Sequence, residues 1–101
     1  MLAGAGSSVL GFVLDGVKVP FTSDATLYKT RPLRPGATAL VTGAIDGRPA
    51  EPVAWTFVRR DGGRTFYTSL GGVGDFANPS FVRLLRNGIL WAAGEPPKGN
   101  P

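Results

Sequence analysis

Residues 52–70 read PVAWTFVRRDGGRTFYTSL, two β-rich runs either side of Asp61-Gly62-Gly63. In the first run (52–59), Val53, Trp55 and Phe57 alternate with Ala54, Thr56 and Val58. That is the period of two which a pleated strand imposes on its side chains. The second run (64–70) is rich in threonine and aromatic residues, which suit a half-buried pleated surface. An Asp-Gly pair supplies the positive φ angles that a tight turn needs. The stretch therefore predicts an antiparallel hairpin pairing the Trp55 strand with the Tyr67 strand.

Upstream, residues 38–45 (TALVTGAI) read as a buried strand closed by Asp46-Gly47. Residues 9–14 (VLGFVL) and 17–21 (VKVPF) flank Asp15-Gly16, so a second hairpin is possible, with Pro20 confining its second run to a sheet edge. Residues 22–30 form a polar connection carrying Leu27 and Tyr28, and Pro32 and Pro35-Gly36 mark a turn. Downstream, the Gly71-Gly72-Val73-Gly74 loop leads to Asn78-Pro79, a capping side chain followed by a proline at the first helical position. Phe81, Leu84, Leu85, Gly88, Ile89 and Ala92 then recur at helical spacing, predicting one helix over 79–93. Gly94 is placed to cap it, Pro96-Pro97 prevents continuation, and residues 95–101 read as a disordered tail. The fold class is α/β: a small β-sheet with an antiparallel hairpin and a C-terminal helix.

A chain of 101 residues has room for one domain and one core. Its 15 glycines and 9 prolines sit at the joints between apolar runs, as turn punctuation. The net charge of +4 comes from scattered basic residues, with no basic run or one-sided basic helix. A solvated surface is expected from that pattern, and no nucleic-acid partner. With no cysteine, disulfides, thiolate metal sites and a cysteine nucleophile are excluded. With no histidine, histidine-based triads and zinc sites are excluded too. No cofactor and no metal are expected. No run approaches the roughly 18 apolar residues of a membrane span, and residues 1–8 lack a signal peptide's basic start. No membrane partner is expected, and the absence of cysteine fits the cytoplasm.

Several residues could carry chemistry. The glycine-rich Gly71–Gly74 loop precedes a helix, as phosphate cradles do, but lacks both established glycine spacings and places Asp75 where a phosphate would sit. A loop needing unusual backbone angles is the alternative. Asp75 could pair with Asp24 or Glu51 for acid/base work, although no spacing brings them together. Ser69 could act as a nucleophile only if Lys18, Lys29 or Lys98 activated it. Trp55, Tyr67, Phe57 and Phe66 could form a stacking platform for a sugar, or belong to the core. For Trp55 the expectation is a mostly buried ring with its indole N–H hydrogen-bonded.

Four blocks carry a resemblance: FTSDATLYKTRPL (21–33), EPVAWTF (51–57), GGRTFYTSLG (62–71) and FANPSFVRLLRNGILWAAG (76–94). In order and spacing they resemble the C-terminal part of the ThuA-like, trehalose-utilisation family, over about residues 16–94. The resemblance implies part of a flavodoxin-like, class I glutamine-amidotransferase-like fold, and an association with disaccharide or keto-sugar metabolism. It divides the chain into residues 1–13 without a counterpart, a family portion at 14–94 and the tail at 95–101. Family domains are longer, so the expectation is a truncated or split domain without catalysis by itself. Gly72 stands where the family pattern Tyr-Thr-Ser-Leu-Gly-His has its histidine, so that group's work is not available here. The candidate ligand-binding residues are Tyr28, Trp55, Tyr67, Ser69, Gly71 and Asp75, and none is assigned as catalytic. The expected partners are a sugar ligand and either a second copy, most simply as a homodimer, or a missing N-terminal half. A small carbohydrate- or protein-binding module and a sugar-active enzyme completed across an oligomer are the alternatives.

Overall fold

The computed structural model describes residues 1–5 and 12–94. They form strands β1 (Leu2–Ala5), β2 (Phe21–Thr22), β3 (Thr38–Ala44), β4 (Glu51–Val58) and β5 (Arg64–Thr68), then a short 3-10 helix (Val73–Ala77) and helix α1 (Pro79–Ala92). The strands make one five-stranded sheet in the order β2-β1-β3-β4-β5. Every pairing in it is antiparallel.

The hairpin predicted from residues 52–70 is present, with Trp55 opposite Tyr67 and Phe57 opposite Thr65. Its turn is closed by the Asp61 carboxylate, which accepts from the Gly63 N–H at 2.8 Å. Helix α1 also forms as predicted. The Asn78 side chain accepts from the Ser80 N–H at 2.9 Å, which satisfies one of the first-turn donors. At the other end Gly94 takes φ +89°, and its N–H donates to Trp91 O at 3.0 Å.

Phe81, Leu84, Asn87 and Gly88 form the buried side of α1. Gly88 lies so close to the Phe66 ring that a Cβ there would stand 2.5 Å from it. Glycine in mid-helix costs about 1 kcal/mol relative to alanine, and this close approach to β5 is what that cost permits. Because side chains alternate across a strand, α1 covers the face bearing Phe66, Thr56 and Ala54. Trp55, Phe57, Thr65 and Tyr67 project from the opposite face. Near the start of β4 that face is covered by Leu27 and Met1, which meet Val53 above Gly43.

The N-terminal part differs from expectation in two ways. Turn chemistry at Asp15-Gly16 makes a hairpin possible, yet residues 12–16 form a turn that docks on α1, and only Phe21–Thr22 of the second run is strand. Residues 9–11 lie outside the described residues. The buried Asn87 amide donates to Val13 O at 3.0 Å and Asp15 O at 2.8 Å, and Arg83 pairs with the Asp15 carboxylate at 3.0 Å. Val13 is thereby fully buried in the core, which a solvent-facing edge hairpin would not achieve. Secondly, Leu2–Ala5 forms a strand where the sequence offers no strand signal. It pairs with β3 from Leu2 opposite Ala44 to Ala5 opposite Val41. The apolar β3 is thus interior, and its edge needs no outside partner. The tail at 95–101 lies outside the described residues.

Candidate functional site

The Gly71–Gly74 loop is built around carboxylates. Asp75, 1% exposed, accepts from Ser23 Oγ at 2.7 Å, Gly71 N at 2.9 Å, Gly72 N at 3.0 Å and Asp24 N at 3.3 Å. The Asp24 carboxylate in turn accepts from the Gly74 N–H at 2.9 Å. The concavity of N–H groups suited to a phosphate instead holds the chain's own two carboxylates. Burial by itself would push the Asp75 carboxyl up, but the Ser23 hydroxyl and the three N–H donors outweigh it and hold the group below the usual carboxylate range. A general acid near neutral pH needs the opposite shift. Asp24 and Asp75 are thus brought together as a clasp between the strand β2 region and the loop after β5. Position 72 is part of it: a Cβ on Gly72 would collide with the Asp24 carboxylate.

Glu51 does not join them. It is shielded at the start of β4, where Arg31 approaches Oε1 at 3.3 Å and the N–H groups of Thr30 and Arg31 donate to the same oxygen at 3.1 Å. The Arg31 hydrogen bond foremost, then the Thr30 N–H, holds its carboxyl down at about 2. Ser69 also has no catalytic setting. Its hydroxyl is buried without a hydrogen-bond partner, so no base reaches it among the described residues. Among the described residues there is no group of three or more acidic side chains that could hold a metal ion. No helix among them is long and apolar enough to cross a membrane.

The aromatic residues are where the structure departs from a simple core. Trp55 is mostly buried, as expected, but its indole N–H makes no hydrogen bond among the described residues. Its ring stacks on Tyr67 with centroids 4.1 Å apart and planes 20° from parallel. The cause is the single helix: α1 covers only one face of β4 and β5, and Trp55 points to the other. Tyr67 is 42% exposed on the edge strand, so the ring face turned away from Trp55 is open. Phe57 continues the face along β4, beneath the Arg34 guanidinium. Phe66, weighed as a fourth platform member, points instead to α1 and packs on Gly88. Tyr28 is 57% exposed in the connection before β3 and stacks on no ring among the described residues.

Of the six candidate binding residues, Trp55 and Tyr67 thus form one surface, Gly71 and Asp75 belong to the carboxylate clasp, and Tyr28 and Ser69 join neither. Sequence reasoning misses Ser23 and Arg34. Ser23 carries no signal, whereas Pro35-Gly36 marks the turn that places Arg34. Among known families, the model for ThuA, described as trehalose utilisation, matches residues 11–92. No curated protein and no solved structure matches the chain.

Proposed function

The chain belongs to the ThuA, or trehalose utilisation, family, and from that membership we propose that it binds a sugar on the Trp55–Tyr67 face and has no catalytic activity by itself. The observation that carries this is the stacked pair, whose Tyr67 ring is 42% exposed on the helix-free side of the sheet. A pyranose presents an apolar C–H face that packs on an aromatic ring, and its hydroxyls reach the polar rim. The lack of stand-alone catalysis is supported by the engaged carboxylates of Asp24 and Asp75, the unactivated Ser69 hydroxyl and the absence of histidine and cysteine from the sequence.

Titration of the folded chain with glucose, trehalose and fructose, followed by tryptophan fluorescence and calorimetry, tests the proposal. Saturable binding is expected. Tyr67→Ala should weaken it by roughly tenfold, about 1.4 kcal/mol, with little change in melting temperature. Trp55→Ala should abolish binding and cost less than the roughly 3–5 kcal/mol of a fully buried aromatic. No saturable response to any sugar sinks the proposal, as does a Tyr67→Ala chain that fails to fold.

The outer side of α1 favours a second property, pairing of two copies. Val82, Leu85, Ile89 and Leu90, with Arg86 beside them, line a shallow groove of about 410 Å³. Ile89 is 56% and Val82 44% exposed, although α1 is already apolar on its sheet side. Apolar side chains grouped on the exposed face of a helix mark an interaction surface, and a two-fold pairing would cover the same groove on both copies. Light scattering should give twice the chain mass of 10.5 kDa, and Ile89→Asp should return the monomer. A monomeric mass unchanged by concentration would count against pairing.

A further inference from the structure

The sugar face has a cation beside it. Residues 34–37 form a turn in which the Ala37 N–H donates to Arg34 O at 3.1 Å and Gly36 takes φ +90°. Pro35 and Gly36 are the central residues that a type II turn favours. This turn carries Arg34 back over β4, where its guanidinium carbon stands 4.1 Å from the centre of the Phe57 ring. Phe57, which lies beneath the guanidinium, is two residues from Trp55 on the same face, a spacing of about 7 Å along the strand. Exposed Thr65 lies opposite Phe57 and two residues from Tyr67 on the same face. Arg31, Arg59 and Arg83 each have a carboxylate partner. Arg34 is exposed and, among the described residues, makes no ion pair. A guanidinium lying flat on a ring keeps its N–H edges free, and those edges match the paired oxygens of a phosphate or carboxylate.

We infer that this face takes an anionic sugar, its ring against Tyr67, which Trp55 backs, and its oxyanion on Arg34. The inference rests on sugar binding at that face and adds the chemical class of the ligand. A phosphate ester and a sugar acid share the chemistry that Arg34 recognises, and the probes separate them.

The experiment titrates the chain with glucose, glucose 6-phosphate, glucuronate and inorganic phosphate at fixed ionic strength. At least one anionic sugar should bind roughly tenfold more tightly than glucose, because a hydrogen bond to a charged group is about twice as strong as a neutral one. Added salt should weaken the anionic sugar and leave glucose unchanged. Arg34→Gln should remove the gain while glucose affinity stays the same, and Arg34→Lys should restore part of it. Tyr67→Ala should weaken the anionic sugar and glucose together. If glucose and both anionic sugars bind equally, or the gain survives in Arg34→Gln, the inference fails and sugar binding stands. If no sugar binds, both fail. Inorganic phosphate binding as tightly as glucose 6-phosphate, untouched by Tyr67→Ala, would reduce the site to a bare anion contact and overturn the inference.

Discussion

Asp75→Ala is expected to lower the unfolding free energy by about 4 kcal/mol in a urea titration at neutral pH. The magnitude follows from what the carboxylate holds. Ser23 Oγ and the N–H groups of Gly71, Gly72 and Asp24 all converge on it, inside a side chain 1% exposed. Truncation orphans those donors, each left unsatisfied at about 1–3 kcal/mol unless water replaces the lost partner. Asp75→Asn keeps the shape but turns an NH₂ toward N–H groups, so it should recover only part of the loss. The pH dependence has a definite sign. The carboxyl is held below its ordinary value in the folded chain, so its contribution is fully present above the unfolded value near 4 and disappears as pH falls through the folded one. Glu51, held at about 2 by Arg31 and the Thr30 N–H, adds a second contribution of the same sign. The measurement is therefore the difference between parent and Asp75→Asn from pH 7 to pH 2.5, which should shrink toward the acid end. A loss below about 1 kcal/mol for Asp75→Ala would mean that water satisfies the donors and that the clasp is not structural.

The parts of this fold that were legible in the sequence are those whose cause is local. The β4–β5 hairpin follows from alternation around Asp61-Gly62-Gly63, and α1 from the Asn78-Pro79 start and its helical period. The turn signal at Asp15-Gly16 was real, but its partner was not local. What fixes residues 12–16 is Asn87 and Arg83, contributed by a helix far along the chain. Leu2–Ala5 has no strand composition and becomes β1 because β3 offers it a complete edge. The site shows the same division. Asp75 was visible as an obstacle to phosphate, but Ser23 and Asp24, about fifty residues away, turn that obstacle into a clasp. For Trp55, alternation gave the face it shares with Phe57 and could not say what covers that face. One helix covers one side of a sheet, so on the other Tyr67 stays open at the edge strand while Trp55, stacked on it, is mostly buried.

Phe81→Ala should have an effect as large as that of Asp75, for the opposite physical reason. Among the side chains wholly withdrawn from water, Phe81 is the largest. It sits in the first turn of α1, edge-on to Phe76 with centroids 5.2 Å apart, beneath Gly71 and beside the core that includes Leu70 and Leu84. Truncation would leave a cavity where helix, loop and sheet meet, in surroundings with little freedom to collapse. The expected loss is about 3–5 kcal/mol. For a chain of this length that is a drop in melting temperature of roughly 15 °C or more. Ile89→Ala, on the same helix but facing outward, should cost the monomer less than about 1 kcal/mol, since the side chain is already 56% exposed. Equal losses from the two would mean that α1 presents its faces the other way round. The comparison also separates folding from binding. Phe81 lies on the helix side of the sheet and Tyr67 on the other, so the folded fraction of Phe81→Ala, measured well below its lowered melting temperature, should hold sugar with parental affinity. Tyr67→Ala should do the reverse, keeping its stability and losing the sugar. Phe81→Ala weakening sugar binding without unfolding would place the ligand near the Gly71–Asp75 loop, and remove it from the aromatic face.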